Sequence, residues 1–208
     1  MMEEFFDLHG YLKNLPSYKQ DRRITSKRYH KGEYIYRPPS NVNFVFQITK
    51  GVVKIGGYSS KGFEVVYDVL TRGDTFGNLR FLDREFNEFS KALTDVELSC
   101  FETSFFRERI VKDHTVSEWF KHNVVQRWCK AESRLFSIAS NNVNTRIKDL
   151  FKELYPHYAD QNINFDLLLT KQDIADLVGA TRQTVAVAIK KIKAENEDFF
   201  KQNPHTVY

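Results

Sequence analysis

The chain has 208 residues, a formal net charge of +4, 41% hydrophobic and 28% charged residues, nine glycines and five prolines, which allows one large domain or two small ones and excludes disordered and collagen-like chains. No run of about 18 apolar residues occurs, and the opening Met1-Met2-Glu3-Glu4-Phe5 is acidic where a secretion signal is basic, so neither a membrane span nor export is expected. Cys100 and Cys129 form no CxxC pair, which disfavours a disulfide framework or structural zinc and fits a reducing cytoplasm.

Residues 29–103 predict short strands: Tyr34–Tyr36, Phe44–Ile48, Val52–Ile55, Glu64–Val69 and Val96–Phe101. They are rich in β-branched and aromatic residues and are punctuated by Gly32, Pro38-Pro39, Gly51, Gly56-Gly57, Gly62 and Gly73. Strands of this length and spacing predict an antiparallel sandwich or barrel. Thr115–Asn141 then lacks Gly and Pro and sets Phe120, Val124, Trp128, Ala131, Leu135 and Ile138 three and four apart, the stripe of one long helix. From Trp128 onward the spacing is that of a two-helix seam. Such a stripe either packs on the chain's own β-domain or pairs two subunits; the length of the helix and its place between two domains favour pairing. A boundary near residues 141–145 precedes a helix over Arg146–Tyr155, a break at Pro156 and a short apolar stretch, Ile163–Leu169.

The most informative segment is Leu169–Ile189. Thr170 can cap a helix carrying Asp173 in its first turn, with Ile174, Leu177 and Val178 on one face. Gly179 permits a sharp turn, Ala175 permits close crossing, and Thr181 caps a second helix with Val185, Ala188, Ile189 and Ile192 inward. Counted from Lys171, alanine fifth, glycine ninth and valine fifteenth is the helix-turn-helix spacing. The outer face of the second helix then presents Arg182, Gln183, Ala186 and Lys190. Its N-terminal residues can enter a DNA major groove, Arg182 meeting guanine or phosphate and Gln183 adenine, with Lys190, Lys191 and Lys193 nearer phosphate or solvent. A helical hairpin can also merely pack. Residues 144–208 balance nine Lys/Arg against nine Asp/Glu, so any polyanion footprint must be local.

Along nearly its whole length the chain resembles the Crp/Fnr superfamily of bacterial transcription regulators. The resemblance rests on Lys31-Gly32-Glu33, Ile48–Val53, Gly62, Gly73–Leu79, Thr170–Ala175 and Gly179–Val185, in that order. It implies an α+β chain: an antiparallel β-roll sensor of the double-stranded β-helix kind (residues 1–114), a dimerisation helix and hinge (115–143), and a winged helix-turn-helix domain (144–208). It implies a homodimeric, sequence-specific DNA-binding regulator with double-stranded DNA of pseudo-palindromic sequence and RNA polymerase as partners, no membrane, no enzymatic activity and a cytoplasmic location. Carried over by position, Thr170, Gln172, Thr181 and Thr184 meet phosphate, Arg182 and Gln183 read bases, and Asn144, Thr145 and Arg146 add phosphate contacts. Relatives similar to the cyclic-AMP receptor carry glutamate and a second arginine where this chain has Gln183 and Val187, so a different operator is expected. Phe199–Tyr208 matches the usual wing poorly.

The effector pocket that the resemblance implies comprises Gly77, Asn78, Leu79, Arg80, Phe86 and Asn87. Cyclic-nucleotide binders carry a glutamate for the ribose and an arginine for the cyclic phosphate. Asn78 stands at the first position and Phe86 or Asn87 near the second, so no cyclic-AMP response is expected. Arg80, Arg84 and Lys91 are alternatives for the phosphate, but a solvated loop accounts for them as well. No cysteine precedes Cys100 to hold an iron–sulfur cluster, and His9, His30, His114, His122, His157 and His205 are scattered; no cofactor is expected and the effector is unidentified. HxH, HxxxH, HExxH and GxSxG motifs are absent, which argues against a metalloenzyme or hydrolase. The rival to a regulator is a dimeric effector-binding or protein-interaction module that has lost specific DNA binding.

Overall fold

The computed structural model describes residues 6–15, 23–39, 42–79, 87–157, 165–196 and 199–200. After the short helix α1 (Leu8–Lys13) come the strands β1 (Ile24–Tyr29), β2 (Tyr34–Tyr36), β3 (Phe44–Lys50), β4 (Val53–Tyr58), β5 (Glu64–Leu70), β6 (Thr75–Gly77), β7 (Phe89–Ala92) and β8 (Val96–Glu102). They form two four-stranded sheets, in the orders β1-β8-β3-β6 and β2-β7-β4-β5. The five strands expected from sequence are present; β1, β6 and β7 are additional, the last two only three and four residues long.

The central strands β3 and β8 pair antiparallel with Val45 opposite Phe101 and Phe46 opposite Cys100. Each carries a run of four buried residues rather than a polar alternation, because both faces of this sheet are covered. Phe46, Ile48, Leu98 and Cys100 pack with Val53, Ile55 and Leu70 between the sheets. Val45 and Phe101 face the other way, onto Leu8 and Leu12 of α1, Phe105 and Phe106 of α2 (Thr103–Lys112), and Val116 at the start of α3 (His114–Ser140). On that face Gln47 is fully buried with its amide satisfied: Nε2 donates to the Phe6 carbonyl at 2.7 Å and Oε1 accepts from the Leu8 amide at 3.2 Å. A satisfied buried amide fixes the N-terminal segment at low cost, whereas an unpaired one would be expensive.

Cα packing divides the chain into two compact units, one ending at Ile55 and resuming over Val69–Trp128, the other comprising Gly56–Asp68 and everything from Cys129 onward. The change thus falls inside α3. In the second unit Arg134 donates to the Tyr67 carbonyl at 2.7 Å and lies 3.4 Å from Asp68; Lys130 lies 2.7 Å from Glu153 and 3.7 Å from Asp68. These charges tie the β4–β5 hairpin, the second half of α3 and the helix that follows it.

That following helix, α4 (Val143–Leu154), is capped by Asn142 and buries Ile147, Leu150, Phe151 and Leu154 on one face. Then come α5 (Phe165–Leu168), α6 (Lys171–Val178) and α7 (Arg182–Glu195). The apolar stretch at 163–169 is therefore a short helix in its described part. Phe199 and Phe200, assigned from sequence to a poorly matching wing, are buried, their rings 5.3 Å from Phe151. Among the described residues no strand follows β8, and residues 201–208 lie outside the described set.

Candidate nucleic-acid interface

α6 opens on a capping box. Thr170 Oγ1 accepts from the Asp173 amide at 3.1 Å and Asp173 Oδ2 accepts from the Thr170 amide at 3.0 Å. Two of the N–H groups orphaned at a helix start are thereby satisfied. The helix ends at Gly179, whose φ of 61° and ψ of 53° are left-handed, with the Ala180 amide returning to the Ala175 carbonyl at 2.9 Å. A side chain here would be strained by its backbone and would also meet Ile138, 3.2 Å from the position of a Cβ. Ala175 is fully buried, as a close crossing requires. Thr181 then caps α7 by accepting from the Thr184 amide at 3.1 Å. The two hydroxyls of Thr181 and Thr184 also lie 2.9 Å apart.

The buried residues of α7 are Val185, Ala188, Ile189 and Ile192, the four read as inward-facing from sequence. Arg182, Gln183, Thr184, Lys190 and Lys191 are exposed, and Ala186 is half-buried. Arg182, Gln183 and Lys190 have no side-chain partner among the described residues. A helix that holds one face by packing and leaves its first turns lined with guanidinium, amide and ammonium groups has the geometry of a DNA recognition helix.

Two family models match, the "Cyclic nucleotide-binding domain" over residues 26–113 and the "Crp-like helix-turn-helix domain" over residues 145–196. The chain belongs to the Crp/Fnr superfamily of transcription regulators. It is 22% identical over 165 residues to the global nitrogen regulator of Synechococcus elongatus, covering 76% of this chain and 74% of that protein. It is also 22% identical over 197 residues to the cAMP-activated global transcriptional regulator CRP of Salmonella typhimurium, covering 93% and 87%. Among solved structures, FixK2 from Bradyrhizobium japonicum shares the fold with a TM-score of 0.66 at 19% identity, over 83% of this chain and 85% of that one. These Crp/Fnr relatives are regulators rather than enzymes.

The remaining residues expected at the interface are placed unevenly. Gln172 is exposed, but its Nε2 donates to Asp176 Oδ1 at 2.7 Å, and Asp176 Oδ2 accepts from the Val66 amide of β5 at 3.0 Å. Asp176 was not singled out from sequence; its place one turn after Gln172 was the available signal. Thr145 is held by Asn142, which accepts from both its amide (3.1 Å) and its hydroxyl (3.3 Å). Asn144 is half-buried beside it. Arg146 departs furthest from the phosphate contact expected of it: its Nη1 donates to the carbonyls of Val178 and Gly179, at the negative end of α6.

Of the six residues expected to pair subunits, the outer two have contacts within the chain, though Ile138 is still 37% accessible. Phe120 joins the cluster around Phe106, ring centroids 5.5 Å apart, and Ile138 lies against Gly179. Between them Val124, Trp128, Ala131 and Leu135 are exposed, flanked by exposed Val125 and Phe136; Trp128 is 65% and Leu135 67% accessible. Val116 is the single buried residue along the 27 residues of α3.

In the expected effector pocket, Arg80 and Phe86 lie outside the described residues. Gly77 has a φ of 93°, and a Cβ there would fall 2.5 Å from the Phe44 carbonyl, so the backbone passes where a side chain cannot stand. Asn78 is buried, its backbone N–H donating to the Phe44 carbonyl at 2.9 Å, and the Leu79 N–H donates to the Gly77 carbonyl. Asn87 is exposed. Cys100 is fully buried in the roll, and burial pushes its thiol up to about 11. It is a core residue, inert as a thiolate at neutral pH.

Proposed function

We propose that the protein is a homodimeric, sequence-specific DNA-binding regulator that works without cyclic AMP. The observation that carries the reading is the face of α7, where Arg182, Gln183, Thr184 and Lys190 project from a helix anchored by Val185, Ala188, Ile189 and Ile192. Arg182 and Gln183 are assigned to base edges, and Thr181, Thr184 and Lys190 to phosphate. Thr170 has its hydroxyl oxygen engaged as a cap and can still donate its proton, whereas Gln172 reaches phosphate only by releasing Asp176. Asn144 and Thr145, at the start of α4, are assigned to phosphate as well. Residues 144–208 form the DNA-binding part, 115–143 the dimerisation helix and hinge, and 1–114 the sensor.

Dimerisation is supported by the open row Val124, Trp128, Ala131 and Leu135, which repeats at heptad spacing and is left exposed by the described residues. Two copies paired there would offer two recognition helices to successive major grooves about 34 Å apart. The absence of a cyclic-AMP response is supported by Asn78, a buried neutral amide where a ribose-binding carboxylate is needed. RNA polymerase as the downstream partner and a cytoplasmic setting follow from the same reading.

The test is selection of random duplex DNA on the pure protein without ligand, at two salt concentrations. The expected result is an enriched two-fold site with half-sites one helical turn apart, its affinity falling with salt by a log–log slope of about 0.9 per neutralised phosphate. Retention that disappears with salt and enriches no sequence would support the rival, a dimeric module without specific DNA binding. Titration calorimetry with cyclic AMP should show no binding at micromolar concentration; saturable heat there would overturn the reading of Asn78.

A further inference from the structure

The outward stripe of α7 runs through Gln183, Val187, Lys190 and Ala194, at helical spacings of four, three and four. Val187 is the anomaly in it. It is 68% exposed, the large apolar side chain on a face otherwise made of polar, cationic and alanine residues. It contributes nothing to the core, which is supplied by Val185, Ala188, Ile189 and Ile192. Nor does it favour the helix, since a β-branched residue is a poorer helix former than alanine or lysine.

We propose that Val187 is a specificity-determining residue that reads a thymine methyl group in the major groove. The inference rests on the DNA-binding reading of α7 and adds to it an apolar contact that the hydrogen-bonding groups of Arg182 and Gln183 do not supply. Val187 lies one turn beyond Gln183, an axial rise of about 6 Å, so it faces a different part of the groove floor from the base that Gln183 meets. The major-groove edge of each base pair offers hydrogen-bond donors and acceptors, and only thymine adds an apolar group, its C5 methyl. A valine against guanine or adenine would strip water from acceptors and return no hydrogen bond, which selects against those bases as well as for thymine. In a helix the valine side chain is held in one rotamer about nine times in ten, so its two methyl groups are already arranged before DNA arrives. The neighbouring cations Lys190 and Lys191, both exposed, hold the phosphate backbone beside it, bringing this apolar patch against the groove floor.

The experiment uses the full chain and the site enriched by the selection above. Thymines of the half-site are replaced by deoxyuridine, one symmetry-related pair at a time, which removes only the methyl. At one position the unmodified protein should lose about fourfold in affinity per half-site, the worth of a buried methyl-sized group. Val187→Ala, at an exposed position and therefore expected to fold, should bind thymine and deoxyuridine equally there while keeping the preferences set by Arg182 and Gln183. Cytosine at that position should weaken binding and 5-methylcytosine should partly restore it. Deoxyuridine tolerated at every position of a specific site, or a methyl preference that survives Val187→Ala, overturns this inference and leaves the DNA-binding reading standing. Failure to enrich any site overturns both.

Discussion

α6 and α7 are neighbours joined by three residues, each opens on a threonine cap, and each turns a polar face outward, yet the two faces are chemically unlike. On α6, apart from exposed Lys171, the polar groups are engaged inside the chain: Thr170 with Asp173, Gln172 with Asp176, and Asp176 with the Val66 amide. On α7, Arg182, Gln183 and Lys190 have no partner among the described residues. On the DNA-binding reading proposed above, the difference separates a scaffold from a reading head. A side chain whose donors and acceptors are already paired gains little by meeting a ligand, because an old hydrogen bond must break for each new one. One that stands solvated and held by a packed helix loses only water.

The largest effect that this contrast implies is on α7. Arg182→Ala should cost about 1 to 3 kcal/mol of specific binding and relax preference at one base pair, with the thermal midpoint unchanged. Competition binding against single-base variants of the operator measures it, and an equal loss on every sequence would move Arg182 from base to phosphate. Next is the turn that holds the helices in register. Gly179→Ala forces a left-handed alanine and should destabilise the fold by about 1 to 2 kcal/mol, read from denaturant midpoints; an unchanged midpoint would mean that the turn relaxes at no cost.

Thr170→Ala sharpens the comparison, since it removes half of a capping box. Stability should fall by about 1 kcal/mol, while the salt slope of DNA binding, referred to folded protein, changes by less than one phosphate. Gln172→Ala is the smallest, less than about 0.5 kcal/mol on either stability or affinity. If Gln172→Ala were instead to weaken DNA binding as much as Arg182→Ala, the division between scaffold and reading head would be wrong, and α6 would have to release Asp176 when DNA binds.

Reading the sequence reached as far as local rules reach. Thr170, Gly179 and Thr181 act through partners within five residues, so caps, turn and inward face were legible from spacing alone. The strands β3 and β8 were legible from their β-branched and aromatic runs, and α3 from its stripe. Short β6 and β7 were not, because three or four residues carry too little pattern to stand apart from a loop. The anchoring of Arg146 was not legible for another reason: the carbonyls it holds belong to Val178 and Gly179, 32 and 33 residues away, and no local rule reports them.

The sequence by itself therefore determined the order of the parts, the helix-turn-helix spacing and the identity of the groups on the outer face of α7, since each depends on contacts a few residues apart. Only the tertiary structure decided which of those groups remain available. Gln172 is engaged because Asp176 is fixed by a β-strand amide 110 residues away, Phe199 and Phe200 close the core around Phe151, and Val187 stands exposed because four other residues of α7 fill the space beneath it. Availability is settled by packing between distant segments, and on the proposed reading it is this that separates a residue able to read DNA from one that only holds the reader in place.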